Sequence, residues 1–320
     1  APASTVVCKT SARLSRKSVQ PDTEPRLLRK ARPAGKLDLR LTAFRLAHLS
    51  DLQLPPPPLP FRWRDVASKR LLSRFAWRRK RRRHIQAVLD AIAAHMVSRS
   101  PDHVAITGDV VNFSTPEEFE AARAWLLSLG DPREVTVSPG NHDALTARGA
   151  PRDFAPWRPW LSDGPPGDFP HLRVRGPVAI INLSSATPTA LHLAQGALGR
   201  VQIDAAARLL RQAGAQGLCR VVLVHHPVTR GVVSGRKALT DAAEFRAMLR
   251  SVGAELVLHG HAHEAHLARL PGPDRDIPVL AAPAASTPAG GPGEPARWNE
   301  IAIAPGDAGF RIRVTAFGVT

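Results

Sequence analysis

The sequence contains no tyrosine, two cysteines, two methionines and 5% aromatic residues. Two cysteines, Cys8 and Cys219, exclude a disulfide framework and a zinc ribbon, and they point to a reducing, cytoplasmic-type compartment. No uncharged apolar run reaches the length of about 18 residues that a bilayer span requires. Acidic side chains are also scarce, with 27 Asp and Glu against 44 Lys and Arg. What is present in quantity is apolar: 43% of 320 residues, enough for a full core and too much for a wholly disordered chain. The length suits one large α/β-type domain with extensions.

The net charge of +17 is local. Residues 1–42 carry ten basic and three acidic side chains, and residues 61–84 carry eleven basic side chains and one acid, Asp65. Elsewhere there are 23 of each sign, so the body of the chain is neutral. A surface basic along its whole length, as in a general nucleic-acid binder, is not indicated. Residues 1–42 lack a hydrophobic period and read as a disordered basic arm; 43–320 read as the ordered domain, with 61–84 an Arg-rich insert. The arm has no apolar h-region, against a secretory leader, although its Arg/Ser-rich, acid-poor start resembles a transit peptide.

From Ala43 the pattern alternates strands with helices. Residues 43–49 alternate in polarity and end at Ser50-Asp51. A helix follows over about 82–98, from the spacing of Ile85, Val88, Leu89, Ile92 and Met96. Val104–Thr107 leads into Gly108-Asp109. Thr115 and Glu118 form a capping box with Pro116 at the first helical position. Val135–Val137 runs into Gly140-Asn-His-Asp143. Strands at 178–183, 221–224 and 255–258 and helices at 200–213 and 240–251 repeat the pattern. Strands at 277–281, 301–304 and 310–317 close it. This order predicts a sheet core covered by helices, with a β-rich C-terminus.

Five of these strand ends release Asp, Asn or His: Asp51, Asp109, Asn141-His142-Asp143, His225, and His261 with His263. In open α/β sheets, ligands collect beyond the carboxyl ends of strands. A mixed carboxylate, amide and imidazole set without thiolates suits Mn, Fe, Zn or Co rather than a structural zinc. Each motif alone has a plainer reading. Gly108-Asp109 is also a turn or helix cap, Pro139-Gly-Asn141 a turn, His225-His226-Pro227 an exposed strand end, and His261-x-His263 a surface loop. Their joint placement on strand ends favours a shared site.

Asp51-x-Gln53, Gly108-Asp109-x-x-Asn112, Gly140-Asn-His-Asp143, His225-His-Pro227 and Gly260-His-Ala-His263 resemble the ordered motifs of the calcineurin-like metallophosphoesterases. The resemblance runs from Ala43 to Val319 and is nearest in style to a bacterial phosphodiesterase branch. It implies an α/β (α+β) fold, a four-layer αββα sandwich of two mixed β-sheets flanked by helices, with two divalent metal ions at one edge. Asp51 and His263 would bind the first metal, Asp109 would bridge, and Asn141, His225 and His261 would bind the second. His142 would face the substrate phosphate and protonate the leaving oxygen, oriented by Asp143. Gln53 departs from the pattern, which has histidine there. Three readings follow: its amide ligates, the enzyme works mainly with one metal, or the site is inactivated. His48 and His103 read as packed strand histidines.

The expected substrate is a phosphodiester, phosphomonoester or pyrophosphate. In the insert, Trp63, Leu71, Leu72, Phe75 and Trp77 interleave with cations, which suits a helix edge packed on the domain or an interfacial helix on anionic membrane. The latter would make the enzyme peripheral and its substrate lipid-linked, such as a UDP-diacylglucosamine-type pyrophosphate. A non-catalytic scaffold is the reading that Gln53 favours. Single-stranded nucleic acid is disfavoured, because the charge is confined to two segments. The oligomeric state is not indicated.

Overall fold

Along each central strand, successive side chains enter different cores, and that alternation builds the layers. On β2 (Phe44–Leu49), Phe44 and Leu46 face one core while Ala47 and Leu49 face another. On β6 (Val178–Asn182), Val178 and Ile180 join Phe44 and Leu46, whereas Ala179 and Ile181 turn away. The shared core is therefore the interface between two sheets, and the outer cores lie under helices. The computed structural model describes residues 7–13, 43–58, 70, 71, 73, 74, 77, 83–145, 152–165, 167–307 and 309–319.

The first sheet has the order β1-β12-β11-β2-β3-β4, with β1 Val7–Arg13, β3 His103–Ile106, β4 Val135–Val137, β11 Arg297–Gly306 and β12 Gly309–Gly318. The second has the order β5-β6-β7-β8-β10-β9, with β5 His171–Arg175, β7 Cys219–Leu223, β8 Leu256–His259, β9 His266–Leu270 and β10 Ile277–Ala281. Both sheets mix parallel and antiparallel pairs. Helices α1 (Gln86–Ser98) and α2 (Pro116–Ser128) press Leu89, Ile92, Met96, Phe119 and Leu126 onto the first sheet. A one-turn helix α3 (Arg158–Leu161) adds Trp160 to that side. Helices α4 (Arg200–Ala215) and α5 (Ala242–Val252) cover the second sheet with Ile203, Leu210, Phe245 and Leu249. The αββα sandwich is the expected architecture.

The elements largely fall where the pattern places them, and the capping box of α2 is present in both halves. Helix α1 starts later than expected because Ile85 is extended and its N–H binds the Ser286 carbonyl, 2.9 Å away. Strands β5 and β9 are not apparent from periodicity. Both are edge strands of the second sheet, and their burial runs against polarity: β5 buries Arg173 and exposes Val174, and β9 exposes Leu267. Residues 7–13, inside the expected disordered arm, form β1 and run parallel to β12. The rest of the arm, and most of the Arg-rich insert including Trp63, Leu72, Phe75 and Arg78–Arg82, lie outside the described residues.

Strands β2, β3 and β4 are parallel to one another, as are β6, β7 and β8, so their carboxyl ends meet at one edge of the sandwich. There the two sheets are tied directly. Ser138 Oγ donates to the Leu183 carbonyl at 2.7 Å, and a bridge joins Ser50 to Ala284.

Candidate metal centre

Three of the strand ends, those after β2, β3 and β8, turn sharply where they deliver their side chains. Asp51, Gln53, Asp109, His261 and His263 have φ of 52, 44, 52, 66 and 58°. Non-glycine residues visit this region at a cost of about 1–3 kcal/mol, and such residues cluster where function over-determines the backbone. The turns are held from outside. Asp51 N–H binds the Gly108 carbonyl at 3.0 Å and Gln53 N–H the Asp109 carbonyl at 2.9 Å. A Cβ on Gly108 would lie 2.6 Å from His225 Nδ1, and one on Gly140 would collide with the Asp109 carboxylate. Glycine at both positions lets the loops after β3 and β4 close on His225.

Asp51, Asp109, Asn141, His225 and His261 are buried. Asp51 Oδ2 accepts from Ser50 Oγ at 2.7 Å and from His261 N–H at 2.9 Å. Its other oxygen, Oδ1, is buried without a hydrogen bond and lies 3.1 Å from His263 Nε2. His225 gives its Nδ1 proton to the Thr107 carbonyl at 2.6 Å, which leaves Nε2 facing inward. Around that nitrogen stand Asn141 Oδ1 at 3.3 Å, Asp109 Oδ2 at 3.4 Å and His261 Nδ1 at 3.2 Å. Lone pairs from four side chains converging on one buried point repel unless a cation or proton lies among them.

Two donor groups result: Asp109, His225 and His261, and Asp51, Asp109 and His263, with ligand atoms within 4.8 Å of one another in each. Asp109 is common to both. Protonation supplies the positive charge when metal is absent. Burial opposes charging His225, but Asp109 and Asp51 overcome it and push its pKa up to about 9. Asp109 is pulled well below the carboxylate range against its burial, chiefly by His225 and His142. A strongly anionic, nitrogen-rich cage of this kind fits a pair of borderline divalent ions.

His142 stands beside the cage. Its backbone N–H binds Asp109 Oδ1 at 2.8 Å, and its ring Nδ1 lies 2.9 Å from the Asn112 carbonyl. The ring is thus set by Asn112. Asp143, expected to orient it, does something else: its carboxylate accepts from the N–H groups of Asp109, Val110, Val111 and Gly140 at 2.8–3.0 Å. Burial and the charge of Asp109 push the Asp143 pKa up to about 7, and the amides of Gly140 and Val111 oppose this. All four hydrogen-bond partners are donors, which is the geometry of a carboxylate. Asp143 therefore knits the loop after β3 to the loop after β4. Glu118 extends this lacing: its Oε1 accepts from Asn112 N–H at 3.0 Å.

Gln53 is buried at the cage, its Nε2 3.2 Å from His263 Nε2. His48 and His103 are packed strand histidines, as expected, bonded to Thr107 Oγ1 at 2.9 Å and Thr136 Oγ1 at 2.7 Å. A cavity of about 300 Å³ opens over the cage, lined among others by Gln53, Asp109, Asn141, His142, His261 and His263.

A model of the calcineurin-like phosphoesterase family matches residues 44–265. The chain belongs to that family. A probable cyclic nucleotide phosphodiesterase of Synechococcus sp. is 26% identical over 231 residues, covering 70% of this chain and 80% of the relative. A dimetal phosphatase from Danio rerio superposes with a TM-score of 0.53 at 10% identity, covering 87% of this chain and 100% of that one. A purple acid phosphatase from yellow lupin superposes with a TM-score of 0.52 at 8% identity, covering 87% of this chain and 55% of that one. These two show the shared fold. The phosphoesterase is accordingly a hydrolase of phosphate esters that depends on metal ions.

Two contributors were not legible as site residues. The backbone carbonyl of Asn112, which holds His142, carries no side-chain signal. His84 also lines the cavity, although it closes an insert whose arginines dominate its reading. Among the described residues no helix is long and apolar enough to cross a membrane.

Proposed function

We propose that this phosphoesterase hydrolyses a phosphodiester, with a cyclic nucleotide as the leading substrate class, at a pair of divalent metals. Asp51, Asp109 and His263 hold the first metal, with Gln53 beside it. Asp109, Asn141, His225 and His261 hold the second. The observation that carries this reading is the shared carboxylate: Asp109 belongs to both donor groups. The likeness to the cyanobacterial phosphodiesterase supports the diester class.

Held by these residues, two divalent ions would supply Lewis-acid polarisation of the phosphate and activation of water at neutral pH. The chain's own residues do the rest. Asp51 and Asp109 keep negative charge in a buried pocket, where electrostatic attraction for cations is strong, and the Thr107 carbonyl fixes the His225 ring so that Nε2 faces inward. His142, held at Nδ1 by Asn112 and at its backbone by Asp109, presents its other ring nitrogen toward the cavity. In its protonated form that nitrogen donates a proton to the departing oxygen. The cavity volume accommodates a mononucleotide-sized ligand.

The test is turnover of bis(p-nitrophenyl) phosphate and of 3′,5′-cyclic AMP with Mn²⁺, Fe²⁺, Zn²⁺ and Co²⁺. Hydrolysis of both, abolished by chelation, supports the reading. Turnover of p-nitrophenyl phosphate with neither diester cleaved would redirect it to phosphomonoesters. No turnover with any metal would favour a scaffold. The membrane and lipid-linked readings rest on the insert, in which Arg83 is exposed while Trp77 and Arg70 are engaged with the domain. Trp77 stacks against His84, and Arg70 bonds the carbonyls of Phe113 and Ser114.

A further inference from the structure

The cavity over the cage carries more positive charge on its walls than one phosphoryl group uses. Two divalent ions held by the carboxylates of Asp51 and Asp109 leave a double positive charge, enough for a single phosphate. Arg83 and Lys237 line the same cavity. Two acids outside the cage also line it, and they do not cancel both cations. Glu294 is already committed, since it accepts from the Ala265 amide and pairs with Arg297 at 2.9 Å. Glu264 offsets one of the two cations.

The wall that carries Lys237 is braced. Lys237 ends a three-residue 3-10 turn, Gly235–Lys237. That turn is zipped to residues 194–196, the segment that brings Ala194 to the cavity. Ala194 N–H donates to the Arg236 carbonyl at 2.9 Å, Gly196 N–H to the Ala238 carbonyl at 3.2 Å, and Gln195 Nε2 to the Gly235 carbonyl at 2.8 Å. Thr240 N–H returns a bond to the Gly196 carbonyl at 2.9 Å. Lys237 is thus flanked on both sides by anchored carbonyls. Its exposed side chain makes no ion pair or hydrogen bond among the described residues.

The bracing segment is itself fixed from the cage side. His226 is buried, and its Nε2 gives a proton to the Ala194 carbonyl at 3.2 Å while Nδ1 accepts from Ser185 Oγ at 2.8 Å. Its ring centroid lies 4.4 Å from that of His261. A Cβ on Gly196 would collide with the His226 ring, so glycine lets the segment close on it. Contacts therefore run from His261 through His226 and Ala194 to the carbonyl that precedes Lys237. A lysine on a braced turn, at the wall of a reaction cavity and without a protein partner, offers its ammonium to an anion of the ligand.

We infer that Lys237 binds a second anionic group of the substrate, beyond the phosphate seated on the metals. This rests on the phosphodiester reading above and narrows its substrate class to diesters that carry a further phosphate. A diester with one charge uses the metals alone and is turned over less efficiently.

The experiment compares thymidine 5′-(p-nitrophenyl phosphate) with its 3′-phosphorylated counterpart, a pair that differs by one phosphate, on the full chain with Mn²⁺. The wild type should favour the 3′-phosphorylated diester in kcat/KM by about tenfold or more, chiefly through KM. Lys237→Gln should bring that ratio close to one with metal content unchanged, and Lys237→Arg should retain most of it. Calorimetric Kd values for the products, thymidine 3′,5′-bisphosphate and thymidine 5′-phosphate, should follow the same pattern. No preference in the wild type, or a preference that survives Lys237→Gln, would overturn the assignment while leaving the phosphoesterase reading intact. An equal loss on both diesters in Lys237→Gln would also overturn it, because the lysine would then serve the scissile phosphate. A wild type that cleaves neither diester with any divalent metal would overturn both readings.

Discussion

Asp109 Oδ2 lies 3.4 Å from His225 Nε2, although 116 positions separate the two residues in the chain. Their approach joins the tip of a strand in the first sheet to the tip of one in the second. Asp109→Asn keeps the shape and removes the charge shared by both donor groups. It should release both metals and lower diester turnover by more than about a hundredfold, a larger effect than losing an outer-shell partner. Metal per chain by inductively coupled plasma mass spectrometry, measured beside kcat, checks this. Retention of two metals would show that the bridge is dispensable.

His142 is fixed by two backbone-centred bonds that do not involve its reacting nitrogen. His142→Gln should therefore leave metal content and fold unchanged while kcat falls by about 10²–10⁴, the usual contribution of a positioned acid or base. The loss should shrink for substrates with a good leaving group such as p-nitrophenolate, since those need no proton on departure. An equal loss for poor and good leaving groups would assign the residue to phosphate binding instead.

How much of this was readable follows from where each interaction is local. The capping box of Thr115 and Glu118 is written within four positions, and it formed. The strand-tip donors were legible because each motif is contiguous and the parallel strand order aligns their ends. The role of Asp143 was not legible. Its partners are backbone amides more than 30 positions away, with the Gly140 amide beside them, and any residue can supply an amide. His84 was obscured for a different reason: its contacts with Trp77, Ser286 and His263 are created by packing and leave no local sequence signal. The left-handed backbone at Asp51, Gln53 and Asp109 carries no residue-type signal either, since these side chains also occur in ordinary strands and turns.

Buried neutral histidines set a pH limit on the fold. His103 opens β3 in the first sheet; burial, then the charges of Arg173 and Arg175, lower its pKa to about 3, with Asp163 pulling the other way. Its ring is bonded to Thr136. Unfolded, it titrates near 6.5. Between those values the unfolded chain binds the extra proton, so stability is full above pH 6.5 and declines as pH falls toward 3, by about 1.4 kcal/mol per pH unit for one group. Urea midpoints measured from pH 7.5 to 4.5 should fall steadily. His103→Gln should lower the midpoint at pH 7.5 and flatten its decline. An identical slope in the variant would place the acid sensitivity elsewhere.

Arg70 ties the insert to the loop that orients His142. Its Nε donates to the Phe113 carbonyl at 2.9 Å and its Nη2 to the Ser114 carbonyl at 2.6 Å. The adjoining Asn112 carbonyl holds the His142 ring. A guanidinium can serve two carbonyls at once in a fixed plane, and an ammonium cannot reproduce that fork. Arg70→Lys should therefore keep the charge, loosen the loop and reduce kcat several-fold, with metal content unchanged. Because Arg70 is engaged inward, the same variant should leave sedimentation with phosphatidylserine vesicles as it is in the wild type. If the variant instead lost vesicle binding and kept its kcat, Arg70 would belong to an outward lipid-facing surface, and the loop would have to be held by Glu118 and Asp143 alone.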